Sequence, residues 1–112
     1  MEATGIWTGK LRTYKSDIPL TLSVTSAGDI DVALGQGQAL KLSNPRFRDN
    51  RIAGKAVIDL GVPDTDWVPY EVHFELYRYE NRLFGGATTY ALPGHYGPRL
   101  SFSVVLIRSG AK

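Results

Sequence analysis

The side chains of this chain that could take part in acid–base chemistry begin with two histidines. His95 lies in the Pro- and Gly-rich segment 93–98, where it is either a turn residue or a polar contact to a ligand or a neighbouring domain. A single histidine cannot act as a general base without a partner that positions it. His73 alternates with Glu71 and Glu75 along a predicted strand, which is typical of a surface residue with a cross-strand partner. We therefore predict no catalytic residues and no enzyme activity.

Three aspartates, Asp59, Asp64 and Asp66, surround a loop at positions 61–67 with the sequence GVPDTDW. Their spacing is similar to that of a hard-cation loop, but the twelve-residue Ca²⁺ pattern with its central glycine and terminal glutamate is absent. Solvated acids that form Asx turns are the favoured interpretation. The chain also has no cysteine, which excludes disulfides, thiolate metal sites and a cysteine nucleophile. We predict no metal site and no cofactor.

Length and charge indicate one domain over residues 1–112 with no nucleic-acid partner. The formal net charge is +2, and the closest basic cluster, Arg46-Phe47-Arg48 with Arg51, straddles a predicted turn. Nucleic-acid binding would require a basic stripe interleaved with exposed aromatic residues. No apolar run approaches the ~20 residues of a membrane-spanning helix, and no signal peptide opens the chain. We predict no membrane span, and the localisation stays open on these residues alone.

Apolar and polar residues alternate with a period of two along most of the chain, and no helical apolar stripe persists over three turns. This pattern predicts an all-β fold. We place eight strands at about 5–14, 19–26, 29–34, 39–48, 51–60, 69–79, 82–91 and 99–108. Parity places one face of each strand inside. The inward residues on strands one to four are Trp7, Gly9, Leu11, Leu20, Leu22, Val24, Ile30, Val32, Leu34, Leu40 and Leu42. Those on strands five to eight are Ile52, Gly54, Ala56, Ile58, Tyr70, Val72, Phe74, Leu76, Leu83, Gly85, Ala87, Leu100, Phe102, Val104 and Leu106.

The connections between these strands are of two kinds. Three short links contain Gly, Asn or Asp, which supply the positive φ of tight hairpins, at 27–28, 49–50 and 80–81. Four longer ones fall at 15–18, 35–38, 61–68 and 92–98. Because alternate connections of an up-and-down meander lie at opposite ends, the sequence predicts an eight-stranded antiparallel barrel with a floor of tight turns and a mouth of longer loops.

Trp7 and Arg108 are predicted to meet at that floor. With an even number of strands, the first strand begins at the end where the last strand finishes, and closing the barrel brings the two side by side. Position 108 shares parity with the inward Leu106. A guanidinium over an indole face contributes ~0.5–2 kcal/mol and would shield the open end. The alternative is a core tryptophan and an unrelated C-terminal surface charge.

The aromatic residues Tyr14, Trp67, Tyr70, Tyr90 and Tyr96 gather at the predicted mouth. Trp67 is either a lid over the core or an anchor in a contact surface. We expect the ligand or partner contacts to come from the mouth and the interior. These candidates are Trp67, Tyr70, Phe74, Tyr90, His95, Tyr96 and Phe102. The outward Tyr77 and Tyr79 are a second candidate for contact with another domain, or an ordinary cross-strand aromatic pair.

Gly5-x-Trp7 on the first predicted strand and Arg108 on the last resemble the two-element signature of lipocalin-like (calycin) barrels. The chain is much shorter than a true lipocalin and has neither a predicted C-terminal helix nor a disulfide. The resemblance implies an eight-stranded barrel whose interior is filled by side chains or holds one small apolar ligand. The many inward Leu, Val and Phe residues favour a filled interior.

A second resemblance covers nearly the whole chain. Its motifs are Ile6-Trp7-Thr8-Gly9-Lys10-Leu11-x-Thr13-Tyr14, Ile18-Pro19-Leu20-Thr21-Leu22, Asp29-Ile30-x-Val32-x-Leu34 and Asn44-x-Arg46-Phe47-x-Asp49, followed by Ile52-x-Gly54. Together they look like the small barrel found C-terminal to serine β-lactamase-type and penicillin-binding-protein-like hydrolase domains of bacteria. The resemblance implies a non-catalytic accessory domain that packs against its hydrolase in cis and is periplasmic or secreted. The nucleophile motif of those hydrolases, Ser-x-x-Lys, does not occur in this chain.

Three hypotheses for function follow. The first is an accessory or interaction module of a bacterial serine-hydrolase-type protein. The second is a small carrier that holds an apolar molecule between Leu22, Tyr70, Phe74 and Phe102. The third is an enzyme that uses His95 with a loop carboxylate, and it requires these groups within hydrogen-bond reach at the bottom of a cleft.

Overall fold

The structure is a computed structural model that describes residues 3–14, 16–35, 39–61, 69–97 and 99–109. All regular secondary structure in those ranges is β. The strands are β1 (Gly5–Arg12), β2 (Asp17–Val24), β3 (Ile30–Leu34), β4 (Leu40–Lys41), β5 (Ser43–Arg48), β6 (Arg51–Asp59), β7 (Pro69–Tyr79), β8 (Arg82–Tyr90) and β9 (Ser101–Arg108). They form one sheet in the order β4-β3-β2-β1-β9-β8-β7-β6-β5, in which all paired strands are antiparallel. The predicted all-β up-and-down barrel is confirmed. The described part of the chain contains no helix that could cross a bilayer.

The described residues form nine strands rather than the predicted eight, because the predicted strand at 39–48 is divided at Leu42. β4 pairs with β3, and the amide of Leu42 extends that pairing by donating to the carbonyl of Ile30 at 2.8 Å. The chain then crosses over, and β5 pairs with β6. Pro45 has no N–H to donate to a ladder, and Asn44 takes a positive φ of 51° beside a shift in register. Both features lie within β5, where its pairing with β6 is irregular between Ser43 and Arg46.

This divided segment brings the two edges of the sheet together. β4 and β5 lie at opposite ends of the strand order yet are separated by Leu42 alone. The Leu42 side chain is buried. A Cβ atom built on Gly54 would lie 2.9 Å from the Cδ1 atom of Leu42. The absence of a side chain at Gly54 therefore makes room for the leucine that fills the seam of a nearly closed barrel. Leu40 was predicted to face the core, but it is exposed.

The other closure joins the first strand to the last. β1 pairs with β9 from Trp7 opposite Arg108 to Arg12 opposite Ser103. A Cβ built on Gly9 would overlap the carbonyl oxygen of Val105, so the backbones of the two strands approach more closely than any other residue at position 9 would permit. Glycine is thus required at this close approach of β1 to β9.

Three turns and the two ends of the described chain, at Ala3 and Ser109, lie at one end of the barrel, the floor. The amide of Arg108 donates to Asn81 and that of Ser109 donates to Ile6, at 2.9 and 2.6 Å. Asp49 and Glu80 adopt positive φ angles of 54°, as tight hairpins demand. Glu80 takes this conformation in place of the Asn or Asp expected. The first turn is longer than the predicted two residues, since β2 ends at position 24 and β3 begins at position 30.

The interior is one contiguous apolar core. The inward parity is confirmed for nearly every predicted residue, with Leu34 and Leu100 only partly buried. Ile18, Leu60 and Thr89 join the core without having been assigned to it. The hydroxyl of the fully buried Thr89 accepts a hydrogen bond from the Leu100 amide at 2.9 Å, which satisfies a polar group that would be costly to bury unpaired.

Candidate functional site

Trp7 and Arg108 lie together at the floor. Trp7 is 0% exposed, and its indole N–H donates to the carbonyl of Ala3 at 2.9 Å. The guanidinium carbon of Arg108 is 4.5 Å from the centroid of the indole ring. The buried indole is therefore held from one side by a backbone acceptor and covered on its face by a cation, so that these residues close the floor.

The interior candidates are part of the packed core. Tyr70, Phe74 and Phe102 are 2%, 2% and 4% exposed. The described residues line a cavity on the outer face of the sheet and a second one at the floor, both away from the centre of the barrel. One, of about 570 Å³, lies on the outer face of β5–β8. The other, of about 170 Å³, lies at the floor between Ala3 and the β5–β6 turn.

The mouth candidates do not form one cluster. Trp67 lies outside the described residues. His95 is exposed, with its amide donating to the Leu92 carbonyl at 2.9 Å, and Tyr96 is fully exposed. The backbone at Gly97 packs directly on the hydroxyl of Tyr70, where any Cβ would overlap it. The loop after β8 therefore covers Tyr70, while His95 and Tyr96 face solvent rather than the bottom of a cleft.

Tyr90 has outward parity, and its ring lies on the outer face of the sheet. The guanidinium of Arg99 lies 4.6 Å from the ring centroid and donates to the phenol oxygen at 2.7 Å. On the neighbouring strand the His73 ring approaches to 4.5 Å at an angle of 55°. The tyrosine is half-buried by these contacts. It connects the mouth loop to the outer surface of β7.

His73 belongs to the first of two charged networks on that outer surface. Its Nε2 atom lies 2.8 Å from Oε1 of Glu71, and the Lys55 ammonium lies 3.4 Å from the same oxygen. The hydrogen bond from His73, followed by that from Lys55, lowers the pKa of Glu71. His73 faces outward as predicted and contacts Tyr90 across the strands, while its hydrogen-bond partner is a carboxylate two residues away on its own strand.

The second network surrounds Glu75. The Tyr77 hydroxyl donates to Oε1 at 2.7 Å, and Nη2 of Arg51 donates to Oε2 at 2.9 Å. The hydrogen bond from Tyr77, with that from Arg51, lowers the pKa of Glu75. The same bond to the carboxylate raises the pKa of Tyr77, because a phenol that donates to an anion resists ionisation.

The larger cavity is a groove between these networks. Small residues line its centre: Ala53 on β6 lies opposite Glu75, and Glu75 lies opposite Gly86 on β8. Tyr77 and Tyr90 line the groove farther along β7 and β8. The charged residues Arg46 on β5 and Arg51 and Lys55 on β6 complete the lining of the groove. The outer sheet face is thus concave where the central side chains are shortest.

An exposed apolar row lies beside the groove, on the floor side. Tyr77 pairs with Phe84, and Phe84 pairs with Val105, so three outward side chains stand next to one another across β7, β8 and β9. Phe84 and Val105 are 45% and 52% exposed, and Ile107, two residues farther along β9, is 53% exposed. Tyr77 therefore does pair across the strands with an aromatic residue, Phe84. Tyr77, Phe84, Val105 and Ile107 together form a wider exposed apolar surface, which we call the outer apolar row.

The loop aspartates show no metal-binding arrangement within the described ranges. Asp59 accepts a hydrogen bond from the Gly61 amide at 2.9 Å, which is the predicted Asx turn. Asp64 and Asp66 lie outside the described residues. The described residues contain no group of three or more histidine or acidic side chains that could hold an ion.

Sequence reasoning missed the groove and most of the outer apolar row. Period two does place Phe84, Val105 and Ile107 on the outer face, and counting apolar residues at outward positions could have found them. The grouping of Arg46 with the β6 cations depends on a pairing across a bulge, and no local pattern reveals it.

The fold defines a class of protein: a nearly closed, antiparallel, up-and-down β-barrel that is consistent with a lipocalin-like barrel. Arg108 on the last strand stacks on Trp7 of the first, as in the signature of that class noted above. Comparisons with protein-family models, curated proteins and solved structures found no match to this chain.

Proposed function

We propose that this chain is a non-catalytic accessory barrel that docks onto another domain through the outer apolar row. The domain we propose is a catalytic hydrolase of the serine β-lactamase type, carried in the same bacterial polypeptide and periplasmic or secreted with it. The choice of hydrolase rests on the motif resemblance of the sequence. The choice of surface rests on the structure.

The observation that carries the proposal is the exposure of adjacent apolar side chains on three neighbouring strands. Tyr77, Phe84 and Val105 are direct cross-strand neighbours, and Ile107 extends the surface along β9. Single exposed apolar residues are ordinary, whereas contiguous ones are typical of contact surfaces. Arg51 lies opposite Tyr77 and Lys10 opposite Val105, so that a cation stands at each end of the row. A partner surface with an apolar centre and acidic margins would be complementary.

The packing of the interior supports a module over a carrier. A carrier would hold its ligand among Leu22, Tyr70, Phe74 and Phe102, and all four belong to the buried core. An apolar ligand at that place would have to displace core side chains, and protein interiors resist such repacking. The exposure of His95 likewise gives no support to an enzyme.

The hydrolase assignment is tested by the residues encoded upstream of Met1 in the gene. A preceding domain with Ser-x-x-Lys supports it, and a preceding domain without that motif contradicts it. The docking surface is tested in the two-domain protein by amide NMR. We expect the β8 and β9 resonances around the row to differ between the isolated barrel and the tandem protein.

Phe84→Asp should abolish those differences, because it places a charge at the centre of the row. Val57→Asp is the matched control, since Val57 is 55% exposed and projects from β6 outside the row. Equal effects of both variants, or resonances that do not change in the tandem protein, would contradict docking through the row.

A further inference from the structure

The groove on the outer face of β5–β8 has the size of a small-molecule site. Its volume of about 570 Å³ falls within the range of roughly 300–1,000 Å³ that is typical of ligand pockets. Ala53 and the bare backbone at Gly86 lie on either side of Glu75 across the centre of the groove. A Cβ built on Gly86 would meet only the Phe102 carbonyl oxygen, at 3.3 Å, so that a larger residue could be fitted there with a small adjustment. A glycine at this position keeps the groove open.

Three cations surround the methyl group of Ala53. Arg46 on β5 is its direct cross-strand neighbour, at the ~5 Å separation of paired side chains. Arg51 and Lys55 lie two residues before and after it on β6, on the same face and ~7 Å away along the strand. All three line the groove. Positive side chains therefore converge from two strands on one small residue.

The acidic residues nearby leave this charge in excess. Glu75 is the one carboxylate among the described lining residues, and Glu71, 3.4 Å from the Lys55 ammonium, is a second carboxylate beside them, whereas the cations number three. Arg51 donates to Glu75 through Nη2 alone, and a guanidinium has five N–H donors, so donors remain for a second acceptor. Arg46 has no hydrogen-bond or ion-pair partner among the described residues. Arg46 and the remaining donors of Arg51 are thus open to an anion without the loss of an ion pair, whereas Lys55 already pairs with Glu71.

The side chain of Glu75 projects from between Ala53 and Gly86 and is fixed in place. Glu75 accepts from Tyr77 at 2.7 Å as well as from Arg51, and its lowered pKa keeps it ionised at neutral pH. It holds Arg51 and the Tyr77 hydroxyl in place, and the Tyr77 ring lies along the groove wall. An apolar body could rest on the Ala53 methyl group beside that ring.

We propose that this groove binds a small organic anion, whose carboxylate or phosphate group is held by Arg46, Arg51 and Lys55 and whose apolar body lies over Ala53 against Tyr77. Two guanidinium groups suit such oxyanions because their planar forks match the paired oxygens. The site shares Tyr77 with the outer apolar row, and its binding can be measured in the isolated barrel without the proposed partner domain.

The test is an amide NMR titration of the barrel with phenyl phosphate, repeated with benzoate and with inorganic phosphate, at low and at physiological ionic strength. We expect saturable shifts at Ala53 and Gly86 with phenyl phosphate or benzoate and a Kd of ~1 mM or tighter at low salt. Binding should weaken with salt, since the cations are partly exposed. Inorganic phosphate should bind ~10-fold more weakly than phenyl phosphate, because it lacks the apolar body.

Arg46→Gln should weaken phenyl phosphate binding ~10-fold or more by removing one charge-assisted donor. Arg46→Lys keeps the charge and should show a smaller loss. Arg82→Gln, the same change on the outer face of β8 outside the groove lining, should alter the affinity by less than ~2-fold. The dispersion of each amide spectrum verifies that the variant is folded.

Shifts that do not saturate, or that spread over basic residues across the whole surface, would overturn the proposal. Equal weakening by Arg46→Gln and Arg82→Gln would do the same, because it would indicate an effect of net charge. If inorganic phosphate binds as tightly as phenyl phosphate, the assignment of an apolar body to the ligand is overturned and the anion site is supported.

Discussion

Trp7→Ala should be among the most destabilising single substitutions in this barrel. The substitution removes a 0% exposed indole from the floor, and buried tryptophan-to-alanine changes cost ~3–5 kcal/mol. It also removes the indole N–H that donates to the Ala3 carbonyl in a buried hydrogen bond of 2.9 Å. The loss of this hydrogen bond costs ~1 kcal/mol, which the range for tryptophan-to-alanine changes already includes. Arg108→Ala should cost less, because it removes a partly exposed cation and leaves the core filled.

The stacking of Arg108 on Trp7 adds a coupling between the two positions. With the guanidinium carbon 4.5 Å from the ring centroid, a double-mutant cycle should yield an interaction of ~0.5–2 kcal/mol. The assay is urea unfolding of the wild-type protein, Trp7→Ala, Arg108→Ala and the double variant. It is followed by far-ultraviolet circular dichroism, since the substitution removes a fluorophore. Trp7→Phe provides a second cycle with a smaller loss of volume, should the alanine variant be unfolded.

Two results would refute this reasoning. A loss below ~1 kcal/mol for Trp7→Ala is the size expected of a surface residue and would mean that the indole does not close the floor. Coupling below ~0.3 kcal/mol in both cycles is indistinguishable from additivity and would mean that Arg108 gains nothing from the ring.

Three further predictions concern the close strand approach and the outer networks. Gly9→Ala should destabilise the barrel by ~1–3 kcal/mol or more in urea unfolding, because its methyl group would overlap a carbonyl of β9, whereas Gly86→Ala should cost less. Ultraviolet titration of tyrosinate should show the pKa of Tyr77 above its ordinary value of 10.0, and Glu75→Gln should return it toward that value; an unchanged titration would contradict the bond. The lowered pKa of Glu71 stabilises the fold above about pH 4.5, and this contribution is lost as the pH falls through the lower folded value. The urea midpoint should therefore drop more steeply below about pH 4.5 in the wild-type protein than in Glu71→Gln.

The amino-acid sequence by itself determined the class of fold, the face on which nearly every strand residue lies and the meeting of Trp7 with Arg108. The first two follow from a local rule, because side chains alternate with a period of two and short polar links reverse the chain, and the third follows from closing the resulting meander into a barrel. The local rule also placed two of the three floor turns and the buried aromatic residues Phe74 and Phe102. It failed at Leu40, which has the parity of a core residue but is exposed.

Only the tertiary structure decided where the barrel is sealed and which outward residues are neighbours. Leu42 fills the seam because the chain leaves one sheet edge and joins the other within a few residues, which alternation along a single strand cannot reveal. Arg46 lies beside Ala53 through a register set after a bulge, and Phe84 lies between Tyr77 and Val105 through two ladders. Register depends on turns, bulges and the packing of the whole sheet, so the groove and the outer apolar row come into existence only when the strands pair.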